Sequence, residues 1–194
     1  MSVPAHIPVE QRYAAADAAH AAQLSGMSQT QRMLAGLPYD PADAALVKAR
    51  LRVRRIFRQF NLSETPADDA VGMGVERRRL FADLLGIKES DMAQNVFVEP
   101  PFWCDYGTNI RLEGNWYCNF NTTILDCAEV VIGDGVLFGP NVHLYGGTHT
   151  TAVPERVAGL ERALPIIIGR DSWIGGNVSI MAGVTIGRGC TVGA

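Results

Sequence analysis

The last part of the chain repeats with a period of six residues. From Ile168 onwards an aliphatic side chain returns at every sixth position, and a glycine directly follows four of these five positions. An amphipathic helix would space its apolar residues at about 3.6 and a half-buried strand at about 2, so neither explains the run. A period of six is typical of a parallel β-helix, in which each hexad forms one flat face and its aliphatic side chain points inward. The repeat therefore predicts a mostly β fold of stacked coils. The positions in phase are Ile168, Ile174, Ile180, Ile186 and Val192.

The same period continues towards the N-terminus, with one break. Three earlier positions share the phase of Ile168, because the 24 residues between Leu144 and Ile168 are a multiple of six. A further series from Tyr106 to Ile124 keeps the period but is displaced by two residues, which predicts a bulge around residues 126–128. Four positions after each hexad residue the side chain is mostly small or β-branched, and we interpret these positions as tight corners. The three earlier positions in phase are Ile132, Phe138 and Leu144.

Helical patterns precede the coils. Apolar residues recur at spacings of three and four between residues 41 and 60, which predicts the clearest helix of this part. Because the hexads begin only after residue 92, we divide the chain into an N-terminal helical segment, residues 1–92, and a β-helix, residues 93–194. The other helices are predicted over residues 10–24, 28–35 and 75–85.

The hexads stop between residues 147 and 165. This insert, GTHTTAVPERVAGLERALP, is polar and rich in turn formers. An extended loop of this length inside a strict repeat is uncommon unless it has a function. It carries His149, whose imidazole can accept a proton from a hydroxyl near neutral pH. His149 is therefore the candidate catalytic base, with an ordinary loop histidine as the alternative.

A metal site is a second hypothesis for this loop. His143 and His149 could bind zinc with a third ligand from a neighbouring chain, since catalytic zinc uses three protein ligands and one open position. No third histidine lies in the coil region. We therefore expect no metal, and we interpret His143 as a structural or interface residue.

Composition excludes several classes of partner and compartment. The net charge of −3 and the pI near 5.8 argue against a nucleic-acid surface, which usually needs a basic stripe. The sequence has no apolar run of 18 residues, so we expect no membrane span. Its four cysteines form no CxxC pair and the first residues do not resemble a signal peptide. These features predict a cytoplasmic protein with reduced thiols.

Two stretches carry a resemblance to a known family. The coil region, from PPFWCDYG to GRGCTVGA, resembles the maltose and galactoside O-acetyltransferases of the hexapeptide-repeat acyltransferases. The preceding MLAGLPYDPADAALVKARLRVRRIFRQFN is similar to the helical region before the coils in that family. The resemblance implies a left-handed parallel β-helix with an N-terminal α-helical segment, assembled as a homotrimer with active sites between subunits. It also implies acetyl-CoA as donor and a hydroxyl of a sugar or sugar-like small molecule as acceptor.

The resemblance assigns roles to individual residues. His149 in GGTHTT matches the family's general base, and Gly176 in WIGGN matches a backbone amide that stabilises the developing oxyanion. The other residues implied to bind acetyl-CoA are Gly139, Trp173, Gly175 and Ala194. The residues implied to bind the acceptor are Asp40, Asp105, Tyr117, Asn119, Asp126, Cys127 and Glu161.

The chain also departs from the family pattern. It ends at Ala194, where the family continues with further hexads and a basic residue that helps to hold CoA. It has Thr148-His149-Thr150 where the family often has Gly-His-Pro, and its first 30 or so residues exceed the usual start. The alternative function is therefore a non-catalytic β-helix scaffold or binding protein, with CoA binding impaired by the short C-terminus.

Overall fold

Three parallel sheets, wound from one continuous stretch of chain, form the larger part of the structure. The computed structural model describes residues 7–64 and 73–193. Each coil contributes one strand to face A, then one to face B, then one to face C. Face A contains β1 (Val96–Val98), β4 (Trp116–Cys118), β7 (Val136–Phe138), β12 (Trp173–Ile174) and β15 (Thr191–Val192). Face B contains β2 (Phe102–Cys104), β5 (Thr122–Leu125), β8 (His143–Tyr145) and β13 (Ser179–Met181). Face C contains β3 (Ile110–Leu112), β6 (Val130–Ile132), β11 (Ile166–Ile168) and β14 (Thr185–Ile186).

The core lies inside these three faces. The first and last side chains of a three-residue strand typically point into it. In β7, Val136 and Phe138 are buried while Leu137 between them is exposed, because alternate side chains of a strand point to opposite sides. Parallel pairing places equivalent residues above one another, as in the column from Val98 through Cys118 to Phe138. The predicted fold class, a parallel β-helix preceded by an N-terminal helical segment, is confirmed.

The positions interpreted as corners are instead inward-facing. Val136 starts β7 and Val142 directly precedes β8, and both are fully buried. The corner interpretation was therefore wrong, since a three-residue strand points its first and third side chains to the same side. Trp116, the bulky exception in this series, starts β4 and is buried against aromatic rings of the first coils.

The predicted displacement by two residues is present, and it occurs twice. The inward series advances by eight positions from Ile124 to Ile132, which confirms a bulge at residues 126–128. It also advances by eight from Cys104 to Leu112, so the first coil has the same insertion. Tyr106 consequently lies in this insertion and not in the hexad series to which the sequence pattern assigned it. Both insertions lie between face B and face C.

Within the described residues, four helices precede the coils, close to the predicted ranges. They are α1 (Val9–His20), α2 (Gln29–Leu34), α3 (Ala44–Leu62) and α4 (Val75–Leu85), with short 3₁₀ turns at Leu24–Gly26 and Glu89–Asp91. Helix α3 starts later than predicted because the Asp43 carboxylate caps it, accepting from the N–H groups of Ala45 at 3.0 Å and Leu46 at 3.3 Å. Helix α4 ends at Gly86, which adopts the left-handed conformation with φ 71°.

Helices α3 and α4 join the coils through an aromatic cluster. Phe81 of α4 lies between Phe60 of α3 and Phe102 of β2, with ring centroids 5.7 and 5.5 Å away. Phe81 also contacts Trp116, so the helical core and the coil interior form one continuous hydrophobic cluster. The described helices include none that is long and apolar enough to cross a membrane.

The extended loop after β8 has structure of its own. It contains β9 (Gly147–Thr148), α5 (Val153–Val157) and β10 (Arg162–Ala163). Strands β9 and β10 pair antiparallel, with Thr148 opposite Arg162. The loop therefore leaves and re-enters the coils through a two-stranded hairpin.

Candidate functional site

The corner between face B and face C, here named the BC corner, collects most of the sequence-predicted acceptor residues. The chain crosses it at residues 105–109, 126–129, 146–165 and 182–184. The first two crossings bring Asp105 beside Cys127, whose thiol donates to Asp105 Oδ2 at 3.5 Å. The third crossing lies directly against them, because a Cβ on Gly147 would be 3.0 Å from Cys127 Sγ. Successive coils therefore place two predicted acceptor residues, Asp105 and Cys127, against the first residues of the loop that carries His149.

Asp126 supports this corner from inside. Its side chain is fully buried and accepts from the backbone N–H groups of Asp105 at 3.0 Å, Tyr106 at 2.8 Å and Asn109 at 3.3 Å. The pKa of Asp126 is raised to about 6, mainly by burial and also by the negative charge of Asp105, while the backbone N–H groups of Tyr106 and Asn109 oppose the shift. Asp126 thus holds the turn that presents Asp105.

Asp105 is half-buried and keeps a carboxylate at the opening of the corner. Burial raises its pKa, while the Cys127 thiol and the positive charges of Arg50 and Arg54 lower it. The pKa of Cys127 is also raised, first by burial and then by Asp105, so the thiol remains a donor. A carboxylate in this setting can accept hydrogen bonds from ligand hydroxyl groups.

Glu161 and Asp40 reach the same corner through a bridge between the loop and the helical segment. Tyr39 and Glu161 exchange two backbone hydrogen bonds of 3.0 Å, and Tyr39 Oη donates to Glu161 Oε2 at 2.8 Å. Burial raises the pKa of Tyr39, which keeps its hydroxyl protonated for this bond. Asp40 follows directly and is exposed, with its carboxylate accepting from the Ala42 N–H at 2.8 Å.

Arg50 belongs to this cluster, although the sequence reasoning missed it. Its guanidinium donates to Tyr106 Oη at 2.6 Å and to the Pro41 carbonyl at 2.5 Å. In the sequence it is one of six basic residues between positions 48 and 58, and such a run is usually a solvent-exposed helix face. The available signal was its position four residues after Leu46 and three before Val53, both buried, which places Arg50 near the inner side of the helix.

His149 lies at the exposed end of the same corner. It follows β9 directly, its side chain is exposed, and the hairpin pairing of Thr148 with Arg162 fixes the backbone before it. The residues after it, Thr150 and Thr151, are held by hydrogen bonds to Glu10 of α1. The base candidate therefore stands on a short exposed segment anchored on both sides.

The remaining predicted residues lie elsewhere, on face A and at the corner between face A and face B, here named the AB corner. Tyr117, Leu137 and Trp173 form one outward column on face A, with exposures of 37%, 48% and 54%. Such an exposed aromatic and aliphatic row can cover an apolar part of a ligand. The AB-corner residues are Asn119, Gly139, Gly175 and Gly176; Ala194 lies outside the described residues.

The glycines make the AB corner accessible to a ligand. The N–H groups of Gly175 and Asn177 donate to Val192 at 2.8 Å and to Pro140 at 3.0 Å, whereas the Gly176 N–H has no partner among the described residues. A Cβ on Gly139 would lie 2.7 Å from the Gly176 nitrogen, so glycine at position 139 leaves no side chain against this N–H. A carbonyl oxygen of a ligand could accept a hydrogen bond from this backbone donor.

The two groups lie at opposite edges of face B. Tyr117 and Asn119, which the resemblance assigns to the acceptor, are on the side of Trp173 and not on the side of Asp105. One chain thus carries two separate halves of the expected site. His143 lies between them on face B, stacked on Tyr145 at 5.9 Å. The described ranges contain no group of three or more residues suited to a metal ion.

Two family profiles match the chain. The maltose acetyltransferase hexapeptide capping motif matches residues 32–87, and the bacterial transferase hexapeptide (six repeats) matches residues 165–194. The first profile covers the segment that supplies Tyr39, Asp40 and Arg50. The second covers the coils that supply Trp173 and Gly176.

Characterised proteins and solved structures show the same similarity. The galactoside O-acetyltransferase of Escherichia coli strain K12 is 38% identical, over 87% of this chain and 78% of its own length. A maltose O-acetyltransferase from Clostridium difficile 630 superposes with a TM-score of 0.78 and 33% identity, over 87% of this chain and 84% of that one. A galactoside acetyltransferase in complex with coenzyme A has a TM-score of 0.76 and 36% identity, over 87% and 79% of the two chains. These similarities favour an enzyme over a non-catalytic scaffold.

Proposed function

Because the chain belongs to the maltose and galactoside O-acetyltransferase family of hexapeptide-repeat acyltransferases, we propose that it acetylates a hydroxyl of a sugar or sugar-like small molecule. The donor is acetyl-CoA, which supplies an activated acyl group as a thioester. One observation carries the proposal: the exposed imidazole of His149 stands at the same corner as Asp105, Arg50 and Glu161. A proton acceptor beside carboxylates and a guanidinium is what a polyhydroxyl acceptor requires.

His149 acts as the general base in this proposal. A hydroxyl is a weak nucleophile, so its proton must be taken up as the oxygen attacks the acyl carbon. The Gly176 N–H stabilises the negative charge that develops on the carbonyl oxygen. Collapse of the tetrahedral intermediate breaks the C–S bond, and the departing CoA thiolate takes the proton from His149 and leaves as the free thiol. Transfer is therefore direct from donor to acceptor, without a covalent acetyl-enzyme.

The polar residues of the BC corner orient the acceptor. Asp105 and Glu161 accept hydrogen bonds from sugar hydroxyls, and Arg50 donates to sugar oxygens. Asp126 and Cys127 hold Asp105 in place. In this arrangement the helical segment, residues 1–92, contributes Asp40 and Arg50, while the β-helix, residues 93–194, contributes the base and the donor surface.

A homotrimer completes the site. His149 lies beyond one edge of face B and Trp173 lies beyond the other, on face A, which supports a cleft shared by two copies of the chain. In such a cleft the BC corner of one protomer faces the AB corner of the next, and a ring of three heterologous contacts closes on itself. Light scattering should then give a mass of three times 21.0 kDa. We expect the reaction in the cytoplasm, since the four cysteines are free.

The test is acetyl transfer by the wild-type protein and a His149→Ala variant. Release of CoA thiol from acetyl-CoA is measured with maltose and with methyl β-D-galactopyranoside as acceptors, and with benzylamine, which carries no hydroxyl, as an amine competitor. We expect turnover with a sugar hydroxyl and a loss of about 10²- to 10⁴-fold in kcat in the variant.

His20→Ala is the matched control, because His20 lies at the end of α1 and outside the site. It should retain the wild-type rate. Full turnover by His149→Ala would remove the proposed base, and transfer to the amine in preference to both sugars would remove the proposed acceptor class.

A further inference from the structure

Helix α1 precedes the residues that the capping-motif profile covers, yet it contacts the loop that carries His149. We propose that α1 is a brace for this loop and that Glu10 is a positioning residue, which holds the segment directly after His149. The proposal rests on the proposed function, because it takes His149 to be the general base that α1 positions.

Glu10 forms the first anchor of the brace. Its Oε1 accepts from the Thr151 N–H at 2.9 Å and the Thr151 hydroxyl at 2.8 Å, and its Oε2 accepts from the Thr150 hydroxyl at 3.2 Å. Thr150 is itself buried, and its hydroxyl accepts from the Ala152 N–H at 3.2 Å. These bonds fix the backbone one and two residues after His149.

Arg162 forms the second anchor, on the side of the strand that leads into His149. Its buried guanidinium makes paired bonds with Asp17 of α1, at 2.9 and 3.0 Å, and with Glu155 of α5, at 2.8 and 3.0 Å. It also lies 4.8 Å above the ring of Tyr13. Because Arg162 pairs with Thr148 in the hairpin, α1 is tied to the strand that leads into His149.

These contacts are more suited to positioning than to core packing. Tyr13 is the one described residue of α1 that is fully buried, so the helix contributes little to the hydrophobic core. Its side chains instead make directional hydrogen bonds on both sides of a single exposed residue. A general base must be held to within about 0.5 Å and 10–20° of its productive geometry, and a long loop does not achieve this alone. The brace supplies that restraint.

The first experiment compares Glu10→Ala with Gln11→Ala in the full-length protein. Gln11 is exposed on the same helix and serves as the control. With acetyl-CoA and maltose or methyl β-D-galactopyranoside, Glu10→Ala should lower kcat by about 10-fold and leave both KM values within about twofold, because a misplaced base slows the chemical step. Glu10→Gln, which keeps one acceptor oxygen for the Thr151 N–H, should lose only about 3-fold.

The second experiment asks whether Glu10 acts through His149. In a His149→Ala background, Glu10→Ala should change the residual rate by less than about twofold, because residues that act as a unit are not additive. An undiminished 10-fold loss in that background would overturn the proposal, since Glu10 would then act on another part of the site.

The third experiment tests whether α1 holds the loop, without measuring catalysis. Hydrogen exchange of peptides spanning residues 148–158 should accelerate in Glu10→Ala and remain at the wild-type rate in Gln11→Ala, because the Thr151 N–H loses its acceptor. Unchanged exchange in Glu10→Ala overturns the brace. If the wild-type protein acetylates neither sugar, the proposed function fails, and the exchange result still decides whether α1 holds the loop.

Discussion

The two corners that flank face B are built on different rules. At the AB corner, Asn121, Asn141 and Asn177 occupy equivalent positions in successive coils, with φ values of 61°, 59° and 63°. Their side chains are joined by hydrogen bonds, from Asn121 to Asn141 at 2.7 Å and from Asn141 to Asn177 at 3.0 Å. Asparagine tolerates the left-handed conformation better than most residues, so one residue type serves these three coils.

At the BC corner the crossings differ in length. The first two contain short insertions, the third is the extended loop, and the fourth at residues 182–184 is short. Here the polar support is a single carboxylate, Asp126, that bonds to backbone N–H groups of the coil before it. The comparison teaches that the repeat is kept where identical turns stabilise each other and is interrupted where unlike side chains must converge.

The largest effect expected from this comparison is the loss of Asp126. In the wild-type protein, Asp126 Oδ2 accepts from the Asn109 N–H. Asp126→Asn replaces this oxygen by an NH₂ group, so that two donors face each other. A buried donor without an acceptor should lower the free energy of unfolding by about 3 kcal/mol. Urea denaturation at pH 7 measures this change, and a loss below about 1 kcal/mol would contradict the role of Asp126 as the support of the corner.

The same variant should change how stability depends on pH. The pKa of Asp126 is raised from 3.8 to about 6, so the folded protein binds this proton more tightly than the unfolded chain does. Between these two values the folded state binds more protons, and the contribution of Asp126 to stability therefore falls as pH rises from about 4 to about 6. Asp126→Asn should lack this part of the slope when both proteins are denatured in urea across that window.

The second effect concerns the ladder of the AB corner. Asn141→Ala removes the side chain that bonds to both Asn121 and Asn177, and it places alanine at φ 59°. We expect a loss of about 2 kcal/mol in the free energy of unfolding, to which the lost bonds and the backbone strain both contribute. Urea denaturation is again the measurement.

Asn141→Gly separates the two contributions to this loss. Glycine adopts the left-handed conformation without strain, so this variant should lose only about 1 kcal/mol, for the ladder alone. Neither substitution should add a pH dependence between pH 4 and 7, because an asparagine side chain does not titrate. Equal losses in the two variants would show that backbone conformation plays no part at this corner.

The smallest effect is expected for Asp105→Asn, which should weaken binding of the acceptor and leave the stability of the BC corner unchanged. The amide keeps one acceptor oxygen but loses the charge that strengthens bonds from acceptor hydroxyls. We expect kcat/KM for the sugar acceptor to fall about 10-fold, equivalent to about 1.4 kcal/mol, with the KM for acetyl-CoA within about twofold. A larger change in the acetyl-CoA KM would place Asp105 on the donor side.

Much of this organisation was predictable from the sequence. The hexads from Ile168 to Val192 predicted the coils, and the two-residue displacement predicted the bulge at residues 126–128, because a period records which side chains point inward. The helices were found at nearly the predicted ranges, since residues such as Gly86 mark where a helix stops, whereas α3 begins three residues later than predicted because Asp43 caps it. The second bulge, after Cys104, was missed because Tyr106 happens to keep the spacing of six.

The site was less predictable than the fold. Arg50 was hidden within a run of basic residues, and a basic helix face is normally exposed to solvent. Glu10 was missed because its partners Thr150 and Thr151 lie 140 and 141 residues further along the chain. The resemblance assigns Tyr117 and Asp105 to one acceptor site, and within a single chain face B separates them.

By itself, the sequence determined the coil fold, the place where the repeat is interrupted and the histidine within that interruption, because periodicity and its loss are local properties of a chain. Contacts made on folding settle which polar residues meet at the BC corner, and they separate Asp105 and Glu161 from Tyr117 and Asn119 by the width of face B. They also make α1 the anchor of the loop around His149. These are contacts between segments that are distant in the sequence, and they form only because successive coils stack on one another.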